Sequence, residues 1–61
     1  MKQDILKRLL EMVVRHGGKA VAATRLRVPV ATIEEWLRED TQIPEHRLLD
    51  LIEALEETLK R

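Results

Sequence analysis

The chain has 61 residues and balances eleven basic against eleven acidic side chains, for no net charge. It contains no cysteine, serine, asparagine, tyrosine or phenylalanine, which excludes a disulfide framework, a thiolate metal site and a serine or cysteine nucleophile. A chain this short forms one domain, 1–61, that buries only about 60% of its unfolded surface, so its stability leans on a staple or a partner. No apolar run approaches the ~20 residues of a membrane span, and the first residues lack the apolar core of a signal peptide. An all-α cytoplasmic protein with no membrane partner is expected.

Apolar spacing predicts helices near 2–16, 19–26, 30–38 and 44–60, a compact four-helix domain without strands. In the first, Ile5, Leu6, Leu9, Leu10, Val13 and Val14 form a broad stripe, with Lys7, Arg8, Glu11 and Arg15 on the wet side. Gly17-Gly18 ends this helix, because glycine accepts the left-handed conformation found just past a helix C-terminus. His16 falls in its last turn, where an imidazole meets the negative end of the dipole. The second helix carries Ala22, Ala23 and Leu26 at helical spacing. Val28-Pro29 breaks it, since proline disfavours the α region for the residue before it.

The third helix sets Ile33, Trp36 and Leu37 on one side, with Trp36 as the aromatic on which the second and third helices close. Thr41-Gln42-Ile43 is a loop, and Pro44 opens the fourth helix, where its missing N–H is harmless. Leu48, Leu49, Leu51, Ile52, Leu55 and Leu59 give that helix an apolar face; Arg47, Asp50, Glu53, Glu56 and Glu57 give it a polar one. The row Leu48-Ile52-Leu55-Leu59 is longer than the short second and third helices require. Its distal end, Leu55 and Leu59, is expected to pair with a second copy in a homodimer, the alternative being simple packing on the first helix.

Charge is unevenly spread. Residues 1–38 hold eight basic and four acidic side chains, and residues 39–61 hold three basic and seven acidic ones. Such asymmetry fits a polyanion-binding face opposite an acidic face, or two solvated helices of different charge.

Catalytic chemistry finds no footing. Glu34-Glu35 and Glu56-Glu57 are adjacent, so on a helix each pair diverges by about 100° and cannot act as an acid/base pair on one substrate. His16 and His46 lack metal-ligand spacing. Gly17-Gly18-Lys19 is a fragment of a phosphate loop without the longer glycine-rich motif or its preceding strand. No enzyme, no cofactor and no metal are expected.

Ala23, Leu26, Val28, Thr32, Ile33, Trp36 and Leu37 together form the pattern of a helix-turn-helix, with its two helices within about 19–38. On these residues the chain resembles the Cro/lambda-repressor-like (Xre-type) helix-turn-helix DNA-binding domains. The match continues through Arg38 and Ile43-Pro44 and covers roughly residues 15–55. The family usually places glycine where Arg27 stands, because the chain there takes positive φ, a conformation that costs a non-glycine residue roughly 1 kcal/mol.

The resemblance implies that the third helix lies in the major groove of double-stranded DNA, with Val30, Ala31, Glu34 and Glu35 facing bases. It implies phosphate contacts from Lys19 and the N-terminus of the second helix, with Arg25, Arg27 and Arg38 as further candidates. Val30 and Ala31 suit thymine methyls and a glutamate accepts from cytosine N4; none of the four makes the bidentate contacts to G or A that Arg, Lys, Asn and Gln make. Two functions are compatible with these residues. One is a small dimeric transcription regulator of phage-repressor or antitoxin type. The other is a helix-turn-helix used as a protein–protein association module, its acidic third helix facing a protein partner.

Overall fold

In the computed structural model, which describes residues 2–60, the chain forms α1 (Lys2–Leu26), α2 (Val30–Leu37), one turn of 3-10 helix (Glu45–Arg47) and α3 (Leu48–Leu59). No strand occurs among the described residues. The helical character predicted from spacing holds. The first two predicted helices follow one another without a linker as α1 and are divided at Gly18, whose φ 89° and ψ 165° are non-helical. That conformation is essentially confined to glycine. The kink therefore sits where Gly17-Gly18 is expected to end a helix, yet helical structure resumes at once on the far side.

The kink divides α1 into two arms that both pack against α3. Lys2 pairs with Glu45 at one end of the first arm, and Gly17 adjoins Thr58 at the other, so this arm and α3 run in the same direction. The second arm turns back along α3 and ends at Leu26, whose carbonyl accepts a 2.8 Å hydrogen bond from Arg47 Nη1 just before α3. Gly17 is required by close approach. A Cβ there would lie 2.7 Å from Thr58 Cγ2, and Thr58 is held by its hydroxyl, which donates to the carbonyls of Ala54 and Leu55.

Leu6, Leu10 and Val13 of the first arm, Ala22, Ala23 and Leu26 of the second, Ile33 and Trp36 of α2, and Leu51 and Ala54 of α3 form the core, closed by Ile43 from the loop. Two further readings change. Pro44 does not open an α-helix; it precedes the 3-10 turn, and its carbonyl accepts Arg47 N–H at 3.0 Å. In α3 only Leu51 of the six apolar large side chains is buried, with Leu55 half-buried and Leu48, Leu49, Ile52 and Leu59 exposed. The cause is geometric: both α1 arms pack on one side of α3, the side of Leu51, Ala54 and Thr58. Ile5 at the start of α1 is likewise exposed.

Candidate nucleic-acid interface

The second arm of α1 passes into α2 through a closely defined turn. Arg27 N–H donates to the Thr24 carbonyl at 3.3 Å, and Val28 N–H to the Ala23 carbonyl at 3.0 Å. These are the paired bonds of a Schellman motif, with Arg27 in the left-handed position at φ 59°. Val28 then packs on the core, supplying the apolar contact that accompanies such motifs. The positive φ expected at Arg27 from the missing glycine is therefore present. Arg27→Gly should raise the unfolding free energy by roughly 0.5–1 kcal/mol, the relief of the left-handed strain being partly offset by a looser unfolded chain. An unchanged or lower denaturation midpoint would show that the Arg27 side chain makes a contact of equal value.

Pro29 follows with φ −64° and ψ 153°, and its carbonyl accepts the N–H groups of Thr32 (3.0 Å) and Ile33 (3.3 Å), starting α2 without a side-chain cap. Ile33 and Trp36 turn inward, which obliges the positions between them to turn outward. Val30, Ala31, Glu34 and Glu35 are all exposed, and so is Arg38 just past the helix. All four predicted base-facing residues thus share the open face of α2.

Its far end is anchored by a residue expected on the wet side. Lys7 is half-buried, and its Nζ donates to the carbonyl of Trp36 at 2.5 Å and to that of Arg38. An ammonium there meets the negative end of the α2 dipole and satisfies carbonyls the helix leaves open. Two more polar side chains fix the arrangement. Gln3 binds the backbone of Ile43 both ways, donating to its carbonyl (2.7 Å) and accepting its N–H (2.8 Å). The Arg47 guanidinium stands 5.7 Å from the centre of the Trp36 ring. The one signal that marks Gln3 and Lys7 in the sequence is their four-residue spacing along the border of the α1 apolar stripe.

The predicted phosphate ligands do not all gather at α2. Lys19 does: its Nζ lies 3.4 Å from Glu34 Oε2, with both side chains about half exposed. Arg27 in the turn and Arg38 beyond α2 are exposed, and neither is in an ion pair among the described residues. Arg25 points elsewhere. Its Nη1 lies 3.8 Å from Glu57 Oε2, and it lines a surface hollow with Asp50, Glu53, Glu56 and Glu57 of α3. The open face of α2 thus carries two carboxylates, one paired with Lys19, and exposed Arg27 and Arg38 lie in the chain just before and just after it.

Comparison with protein-family models, with curated proteins and with solved structures finds no match for this chain. Among the described residues, no helix is long and apolar enough to cross a membrane.

Proposed function

We propose that the protein is a helix-turn-helix DNA-binding regulator without catalytic activity, in which α2 enters the major groove. The observation that carries this reading is the junction between α1 and α2. A Schellman turn with a left-handed residue sets α2 at a fixed angle, Trp36 locks its inner side, and Lys7 holds its end. The outer face that remains, with Val30, Ala31, Glu34 and Glu35, has Lys19 beside Glu34, and exposed Arg27 and Arg38 flank α2 in the chain. Backbone amides and cations hold phosphates, while the outward side chains touch base edges. The Lys19–Glu34 pair is weak at this exposure. Lys19 exchanges the carboxylate for a phosphate when a duplex arrives.

Glu34 and Glu35 limit the affinity, because they bring two negative charges to a polyanion. Replacing both with Gln removes that repulsion and supplies groups able to bond base edges, while helix propensity barely changes. Fluorescence anisotropy with a labelled duplex should show tighter binding by Glu34→Gln/Glu35→Gln than by wild type, most at low salt. Binding should weaken with salt with a log–log slope of about −2 to −3, as two or three phosphate contacts dictate. Absence of binding by both proteins at low salt would transfer the α2 face to the alternative role, contact with a basic partner protein.

A further inference from the structure

One face of the molecule is apolar and uncovered. It is built from two rows with the same spacing, i, i+4, i+7, i+11, which runs along one side of a helix. The α1 row is Ile5, Leu9, Met12 and His16; the α3 row is Leu48, Ile52, Leu55 and Leu59. Ile5 is 57% exposed, Leu48 41%, Ile52 39% and Leu59 55%, with Leu9, Met12 and Leu55 half-buried. The rows adjoin, since Ile5 and Leu48 line one hollow of about 80 Å³ with Leu6. A contiguous apolar surface on a small domain marks an interaction site.

What covers it is indicated by the charges at its edge. One residue back from the α1 row runs Asp4, Arg8, Glu11 and Arg15, again at i, i+4, i+7, i+11, with signs minus, plus, minus, plus. All four are exposed, and none is in an ion pair among the described residues. An alternating row of four is complementary to itself when reversed: Asp4 then meets Arg15, and Arg8 meets Glu11. The same row laid on itself without reversal opposes like charges throughout.

We propose that a second copy of the chain covers this face, related by a twofold axis perpendicular to α1. Each α1 packs antiparallel on its copy, with Ile5, Leu9 and Met12 inside and the charged row as a polar rim, the anatomy of a specific interface. An isologous contact of this kind is the commonest way a small protein pairs. Because Lys2 adjoins Glu45 and Gly17 adjoins Thr58, the axis midway between Arg8 and Glu11 passes level with Ile52. Ile52 therefore faces its own copy across the axis, and Leu48 faces Leu55. The interface centre is thus Leu9, Met12 and Ile52; Leu55 lies beside it opposite Leu48, and Leu59, which the sequence singles out with Leu55, lies at its flank. Among the helices α2 adjoins α1 and not α3, and Leu37 and Glu39 at its end line a hollow with Asp4, Arg8 and Glu11, so the end of α2 borders the charged rim. The proposal holds whether or not the outer face of α2 binds DNA.

Sedimentation equilibrium of the full chain tests it. Wild type should show the dimer mass in the micromolar range, and Ile52→Glu, which sets two carboxylates against each other at the axis, should show the monomer mass with helical circular dichroism intact. Arg8→Glu and Glu11→Arg should each weaken dimerisation by at least about tenfold, since each like-charge contact occurs twice across the axis. Mixing these two variants in equal amounts should restore association, because the mixed pair opposes Glu to Arg at both contacts. An attraction within one helix cannot be rescued by a second chain. A monomer mass for wild type up to millimolar concentration would overturn the proposal, as would a dimer unaffected by Ile52→Glu, or no recovery on mixing; a monomer that instead binds a different protein through Ile52 overturns it too.

Discussion

Trp36→Ala should destabilise the domain by about 3–5 kcal/mol, a third or more of its whole stability. Trp36 is the largest side chain in the core, only 7% exposed, and its ring carries the Arg47 guanidinium on one side. Truncating a buried tryptophan costs about 3–5 kcal/mol. The whole stability expected of a 61-residue domain is only roughly 3–9 kcal/mol. The loss also strips Arg47 of its stacking partner, and Arg47 Nη1 is what ties the end of α1 to the start of α3. Trp36 is the sole tryptophan, so the readout is the far-ultraviolet circular dichroism melt rather than fluorescence. A fall in Tm of at least about 12 °C is expected from the usual dependence for small domains. A melt within a few degrees of wild type would mean that α2 is held by something other than its inner face.

The second large effect is at the kink. Gly18→Ala should destabilise the fold by about 1–3 kcal/mol, lowering Tm by roughly 4–24 °C. The cause is the backbone alone: a Cβ at Gly18 meets nothing within 4 Å, whereas φ 89° and ψ 165° are closed to alanine. Relaxing position 18 to helical angles is no escape. It would straighten α1, so that its two arms could no longer both pack on α3. Equal stability of Gly18→Ala and wild type would show that the arms do not need the observed bend.

These two residues also mark what the sequence makes legible. The glycine pair announces a break, the apolar spacing of Leu6, Leu10, Val13, Ala22, Ala23, Leu26, Ile33 and Trp36 announces the core, and arginine in place of the expected glycine announces left-handed strain at position 27. Each of these is a local property of the chain. What escapes is set by tertiary placement. Lys7 reads as a wet-side lysine until α2 lies within reach of its ammonium, and Gln3 gains its partner only when Ile43, forty residues later, is folded beside it. The same holds for Arg25, which is drawn to Glu57 once the second arm folds back along α3. Leu48, Ile52 and Ile5 read as core by composition, yet a chain of this length has no third layer to bury them. For the α2 face, placement in the open was foreseeable from Ile33 and Trp36, but the Lys19–Glu34 contact was not, since it joins separate helices.

The role of α2 is tested most directly by titrating isotopically labelled protein with a short duplex at low salt and following each backbone amide by NMR. Shifts confined to Lys19, to Arg27 in the turn and to α2 from Val30 through Arg38, reversed by added salt, are the expected result. An unchanged spectrum at saturating duplex, or shifts centred on α3 with α2 silent, would contradict the assignment of α2 to the major groove.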